Sequence, residues 1–187
     1  MKKVITLVIC LGSFTFLSVG QSPQKEMGSL FPILQNGKWG YINANGDVVI
    51  EPQFDSVGEF HEGLAVANLN GKRGYINEAR LFVIQAPASL ILAGGFSEGL
   101  APVIEGGKHG YIDRSGNMVI APQYDFAGEF SLGIARIRTD DKFGFIDRHG
   151  ALVTGLYPGA FDFSEGLAPV EINGKMGYID VSDRIVI

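Results

Sequence analysis

A Gly-aromatic-Ile triplet recurs five times along this chain: Gly40-Tyr41-Ile42, Gly74-Tyr75-Ile76, Gly110-Tyr111-Ile112, Gly144-Phe145-Ile146 and Gly177-Tyr178-Ile179. The steps between glycines are 34, 36, 34 and 33 residues. A period of this size signals a repeat architecture, in which one unit cannot bury its apolar face alone and packs on its neighbours. Other positions keep the same register. Lys stands two residues before each glycine, at Lys38, Lys72, Lys108, Lys142 and Lys175. Ten residues before it stand Leu30, Leu64, Leu100, Ile134 and Leu167; ten after it stand Ile50, Ile84, Ile120, Thr154 and Ile187. The octapeptide FSEGLAPV occurs letter for letter at Phe96–Val103 and at Phe163–Val170.

Each unit reads as a three-stranded meander. The first strand is of the Leu100–Glu105 type. A tight turn follows, Asn36-Gly37, Asn70-Gly71, Asn173-Gly174 or Gly106-Gly107. Asn-Gly between apolar runs is a strong hairpin signal, because both central residues need positive φ. The second strand carries the triplet. An Asx-led turn such as Asp113-Arg114-Ser115-Gly116 comes next, its side chain able to bond the turn backbone. The third strand is a β-branched run such as Val48-Val49-Ile50, whose lack of alternation predicts burial on both faces. A polar link, Pro-Gln-aromatic-Asp followed by Gly-x-Phe and Glu-Gly, leads onward. No stretch after the N-terminal segment has helical periodicity. The expected fold is all-β, a tandem array of about five three-stranded meander units. Three strands per unit favour a solenoid-like or superhelical array, with a propeller-like arrangement second. The units span about 28–59, 60–95, 96–129, 130–162 and 163–187.

Lys38-Trp39-Gly40-Tyr41-Ile42, with Val49-Ile50-x-Pro52-Gln53-Phe54-Asp55 and Phe60-x-Glu62-Gly63-Leu64-Ala65, resembles the bacterial WG-containing repeat. The resemblance covers roughly residues 28–187. Trp-Gly itself occurs in the first unit alone; Arg73, His109, Phe143 and Met176 replace Trp39 in the others. The resemblance implies a tandem β-repeat, often exported, and implies no catalytic activity.

The N-terminus reads as a signal peptide over residues 1–20. Lys2 and Lys3 form a basic head, Val4–Leu17 is almost unbroken apolar sequence, and Ser18-Val19-Gly20 supplies small residues for cleavage. The run is too short for a comfortable membrane span. Lipidation at Cys10, the single cysteine, is a rival reading, but Ile9 stands where a small residue is needed. A short segment, 21–27, precedes the repeats. The mature chain then has no cysteine, so packing rather than disulfides must stabilise it. Its net charge goes from −5 to −7 on loss of Lys2 and Lys3. That sign disfavours nucleic acid and anionic membrane surfaces as partners.

Little in the chain points to chemistry. Glu98 and Glu165 of the octapeptide could pair as acid and base, but Leu132 takes that position in another unit. The glycine after it never changes: Gly63, Gly99, Gly133 and Gly166. That favours a turn over a catalytic pair. Asp113, Asp147 and Asp180 recur with the period, as do Asp55 and Asp125 after the aromatic of the link. Calcium loops need several oxygens within a few residues; here each turn offers one, and Asn43 and Asn77 substitute freely, so turn capping is favoured. His61, His109 and His149 fall at three different template positions, without metal-ligand spacing. No phosphate-binding or nucleophile motif is present. No catalytic residue, cofactor or metal is therefore expected.

Binding is the remaining class. Trp39 is the single Trp, and a row of Tyr41, Tyr75, Tyr111 and Tyr178 could stack on sugar rings or anchor a protein. Alternatively, Trp39 covers one end of the array. The five Lys could form a functional row or merely discourage edge pairing. Leu81–Ile84 and Leu90–Leu92 are core or a partner patch. Arg184–Ile187 is an apolar strand suited to a homodimer or an added partner strand. Pro32, Pro102 and Pro169 recur in alternate units, against Val66 and Arg136, a two-unit super-repeat that reflects either ancestry alone or different environments for odd and even units. The leading expectation is an exported, non-enzymatic scaffold binding a protein partner in the periplasm or outside the cell. A glycan or cell-wall binding module is the alternative; an enzyme ranks third.

Overall fold

The computed structural model describes residues 29–187. The expected signal peptide, 1–20, and the segment 21–27 lie outside the described residues. Within them the chain forms strands and turns without a helix, so none is long and apolar enough to cross a membrane.

The first sheet holds β1 (Phe31–Gln35), β2 (Lys38–Ile42) and β3 (Val48–Phe54) in that order. The second holds β4 (Ser56–Val57), β5 (Leu64–Leu69), β6 (Lys72–Asn77) and β7 (Phe82–Gln85). The third repeats it with β8 (Ile91–Leu92), β9 (Leu100–Glu105), β10 (Lys108–Asp113) and β11 (Met118–Tyr124). The fourth comprises β12 (Phe126–Ala127), β13 (Ile134–Thr139) and β14 (Lys142–Asp147), and the fifth β15 (Leu167–Ile172) and β16 (Lys175–Asp180). All pairings are antiparallel between chain neighbours.

The protein is thus an all-β tandem array, with one correction to the expected unit. The link is itself a strand. After β3 the chain passes through Asp55 alone into β4, which pairs with β5 of the next sheet through Ser56↔Asn68 and Val57↔Ala67. β12 follows β11 through Asp125 in the same way. The second and third sheets therefore have four strands, closer to a propeller blade than to the three-stranded meander. The junction falls at Asp55 rather than after residue 59. Two residues of ladder are too short to carry a periodicity of their own.

Turn chemistry follows the sequence closely. Asn36, Asn70 and Asn173 lie at φ 51, 52 and 53°, each followed by a positive-φ glycine, as the tight hairpin requires. The repeated glycine of the triplet has a different cause. β3 and β11 bulge opposite it, with the register slipping between Trp39 and Tyr41 and between His109 and Tyr111. A methyl group on Gly40 would lie 2.4 Å from the Ile50 carbonyl oxygen, and one on Gly110 2.4 Å from that of Ile120. The facing residue is the Ile ten positions on, so both constant positions express one close approach.

The core is divided into four clusters, one between each pair of neighbouring sheets. Tyr41, Ile50 and Phe54 of the first sheet meet Ala65, Ala67 and Ile76 of the second. Tyr75 and Ile84 meet Ala101, Val103 and Ile112. Tyr111 and Ile120 meet Ala135, Ile137 and Ile146. Phe145 meets Ala168, Val170 and Ile179. Each sheet thus presents an aromatic face forwards and a small-aliphatic face backwards.

One expectation is corrected, and two readings left open by the sequence are narrowed. The β-branched run of the third strand is not buried on both faces: Val48 is exposed, Val49 half-buried and Ile50 buried. It closes one side of its sheet, so one face packs and the other meets solvent. The apolar stretch of the second unit divides likewise, with Ile84 and Leu90 in the core and Leu81, Val83 and Ile91 exposed. The odd–even alternation of proline also has no counterpart in pairing. Pro102 opposes Tyr111 and accepts from the Ala93 amide, as Val66 opposes Tyr75 and accepts from Gly58. Arg184–Ile187 lies along β16, through Tyr178 N–H to Ile187 O and Val186 N–H to Tyr178 O.

Gly110→Ala is expected to destabilise the protein by about 2 kcal/mol or more, because the facing backbone has no room to yield. Gly46→Ala, at φ +86° with nothing within 4 Å, is expected to cost only the left-handed backbone strain of about 1 kcal/mol. Equal losses in denaturant unfolding would contradict the steric account.

Candidate functional site

The residues singled out for binding fall into two groups. Tyr41, Tyr75 and Tyr111 are 0 % exposed and so cannot present their rings to a ligand. Their position on the forward face of each sheet places them at the junction with the next. Each hydroxyl donates to a backbone carbonyl of the following link: Tyr41 to Gly58 (2.7 Å), Tyr75 to Gly94 (2.7 Å) and Tyr111 to Gly128 (2.6 Å). Burial raises all three hydroxyl pKa values, so the donors stay protonated. Each ring meets the Phe two residues beyond that carbonyl, Tyr41 on Phe60 at 4.8 Å, Tyr75 on Phe96 at 4.7 Å and Tyr111 on Phe130 at 4.9 Å. Phe145 on Phe163, at 4.7 Å, makes the same tilted pair. That unit has no tyrosine hydroxyl, and Phe161 replaces the accepting glycine. Arg136 serves instead, donating to Ala160 O (2.9 Å) and pairing with Asp162 (2.8 Å). The fourth tyrosine of the proposed row, Tyr178, differs: it is 40 % exposed.

Trp39 is half-buried and packs on the first cluster beside Val49 and Val57. It opposes Leu34 on one side and Phe54 on the other. It covers the flank of the first junction rather than standing free.

The octapeptide carboxylate acts between units. Glu62, at φ 50°, accepts the Gly99 amide (3.1 Å), and Glu98, at φ 51°, accepts that of Gly133 (3.0 Å). Ser97 donates to Phe130 O (2.6 Å). A groove of about 500 Å³ lies beside this line of turns, bordered by Ser97, Glu98, Glu129, Phe130, Ser131 and Asp162. Glu129 accepts the Gly95 amide at 3.3 Å, so two of the three carboxylates there hold backbone donors. Leu132 has no carboxylate to continue the series, and Glu165 is exposed.

The remaining acids cap turns. Asp113 Oδ1 accepts the amides of Ser115 (2.8 Å) and Asn117 (2.9 Å), and Asn43, Asp147 and Asp180 repeat that pattern. The Asn117 and Ser115 amides hold the Asp113 carboxyl below its usual range. Asp55 accepts from Lys38 (2.5 Å) and from the Asn70 amide (2.6 Å), which lower its pKa. Asp125 pairs with Lys108, its pKa lowered first by that contact. Lys72 lies 4.6 Å over the Phe82 ring, while Lys142 and Lys175 are exposed. Three of the five Lys thus tie their own units together. Among the described residues no group of His, Cys, Asp and Glu could hold a metal ion.

The sequence of the WG containing repeat family matches residues 39–72, 110–143 and 143–175. No curated protein matches the chain. Among solved structures, Kluyveromyces lactis Hsv2 is similar, with 9 % identity and a TM-score of 0.57 over 86 % of this chain and 60 % of that one. A form of KlHsv2 with loop 6CD replaced by a Gly-Ser linker gives 8 % identity and 0.57, over 85 % and 62 %. A Bacteroides caccae protein of unknown function shares 15 % identity, with a TM-score of 0.39 over 86 % and 69 %. The chain spans about three fifths of the length of the Hsv2 chains. Hsv2 is a β-propeller, and at this identity the likeness is one of fold: small meandering sheets arrayed in chain order.

Three buried side-chain atoms among the described residues lack a hydrogen-bond partner, Asn68 Oδ1, His109 Nδ1 and Arg138 Nε, and of these the histidine titrates. His109 Nδ1 is buried without a hydrogen-bond partner, beside Phe126 at 5.7 Å, and burial lowers its pKa from 6.5. The folded state therefore resists protonation more than the unfolded state. Stability is complete above about pH 6.5 and declines as pH falls through the lowered folded value. Denaturant midpoints at about pH 7.5 and about pH 5.5 should show this decline, and His109→Phe, copying Phe143, should reduce it. An unchanged slope in that variant would contradict the assignment.

Proposed function

The chain belongs to the WG containing repeat family, and from that premise we propose that it is an exported, non-enzymatic scaffold that docks a protein partner. One observation carries the reading. The segment after the second strand of every unit exposes apolar side chains eight or nine residues beyond the triplet glycine: Val48, Val83, Met118 and Val119, Leu152 and Val153, Ile185 and Val186. Isolated exposed apolar residues are ordinary, but exposure that recurs in the same segment of every unit follows the period of the fold. In the first three units these segments are β3, β7 and β11, each at a sheet edge, where free backbone groups can receive an added strand. Charged residues such as Asp47 and Glu51 flank the row, which suits a polar rim around an apolar centre.

Export rests on the N-terminal segment: Lys2-Lys3, the apolar run and the small residues before Gln21. The periplasm or the cell exterior is the corresponding location. The glycan alternative needed exposed aromatic rings, and burial of Tyr41, Tyr75 and Tyr111 removes most of that platform. The non-enzymatic reading is supported by the backbone duties of Glu62, Glu98 and Glu129.

The test is recovery of envelope proteins on the purified chain. A variant with Val83→Lys, Val119→Lys and Val153→Lys should keep its circular dichroism and lose the partner, while Trp39→Ala should keep it. Undiminished recovery by the triple variant, or loss in Trp39→Ala alone, would overturn docking through the row.

A further inference from the structure

Each junction joins an aromatic forward face to an aliphatic backward face. The register of that backward face is constant. Ala65 opposes Ile76, Ala101 opposes Ile112, Ala135 opposes Ile146 and Ala168 opposes Ile179. Two residues on from each Ala stand Ala67, Val103, Ile137 and Val170. All twelve of these residues are 0 or 1 % exposed. So are the forward aromatics they cover, Tyr41, Tyr75, Tyr111 and Phe145.

Among the described residues, one face of each kind is uncovered. On the forward side of the fifth sheet, Tyr178 occupies the aromatic position and is 40 % exposed, with exposed Met176 two residues before it on the same strand. On the backward side of the first sheet, Phe31 opposes Ile42, as Ala65 opposes Ile76, and Ile33 stands at the position of Ala67. Phe31 is 48 % exposed, and Ile33 and Ile42 are half-buried. Exposed apolar faces of this kind mark interaction surfaces. The four internal junctions show which face covers which.

We propose that the fifth sheet of one copy of this chain docks on the first sheet of a second copy, head to tail, as a fifth junction of the same design. Tyr178 of one copy packs over Phe31, Ile33 and Ile42 of the next. Phe31 differs from the alanine of the internal junctions. Its larger ring supplies aromatic bulk that the joint phenylalanine supplies elsewhere, since Gln24, Lys25 and Glu26 occupy the sequence where Gly-x-Phe would fall. A contact between two different faces is heterologous, so it builds rings or open filaments rather than an isologous dimer. The proposal is independent of the partner-docking row, which lies on the strand edges.

The two faces can be broken separately. Tyr178→Glu and Phe31→Glu alter exposed positions and should leave circular dichroism unchanged. In sedimentation velocity over a concentration series, the unaltered protein should assemble beyond the dimer, and each variant alone should remain monomeric. Mixed, the two variants should form a dimer and nothing larger, because each brings one intact face. A monomer at every concentration for the unaltered protein would overturn the proposal. So would assembly that both variants retain, as pairing through the Arg184–Ile187 edge would give, or a mixture that stays monomeric.

Discussion

The tilted aromatic pair at each junction holds this structure together. A small sheet of two to four short strands is marginal in water and has no core of its own. Here the ring of one sheet and the Phe of the next link close the gap between sheets, and the tyrosine hydroxyl fixes the link through its carbonyl. Such a pair contributes about 0.5–1.5 kcal/mol beyond the area it buries, and the hydrogen bond about 1 kcal/mol. Repetition at successive junctions multiplies these terms, which add to the ordinary burial energy of the other side chains in each cluster. The variation at the fourth junction follows the same logic. Phe145 lacks the hydroxyl, Phe161 replaces the glycine that would accept from it, and Arg136 ties the link through Ala160 instead.

Around that joint the backbone is held by local devices. Asx side chains cap the turn after each second strand, and Glu62 and Glu98 reach forward to the turn of the next unit. The triplet glycine admits the bulged third strand, which brings its Ile into the core. The FSEGLAPV octapeptide combines these roles: a junction Phe, a Ser and a Glu that bond the next unit in one of its two copies, a left-handed turn, and the first strand with its Ala on the backward face.

Much of this was legible in the sequence because the period multiplies every signal. One Asn-Gly is a hint; three in register fix the hairpins. The constant glycines and the Asx turns could be read from backbone chemistry alone. The tyrosines could not. A residue that recurs on a strand is equally suited to an exposed row and to a buried joint, and only the packing of the next sheet separates them. The invariant Phe two residues after Gly58, Gly94 and Gly128 was the available clue, since a ring that recurs in step with another ring is a candidate partner for it. The third strand misled for a related reason: Val48-Val49-Ile50 looks buried on both faces, yet its sheet is covered on one. The candidate binding surface was the least legible part, because exposure at Val83 or Val119 depends on which strand closes the sheet.

The central claim is that Tyr75 and Phe96 act as one unit across the second junction. A double-mutant cycle measures it directly, with Tyr75→Leu, Phe96→Leu and the combined variant compared by denaturant unfolding. The account predicts a coupling of about 0.5–1.5 kcal/mol, with the double variant losing less than the sum of the singles. Losses that add within about 0.3 kcal/mol would show two independent core residues and contradict it.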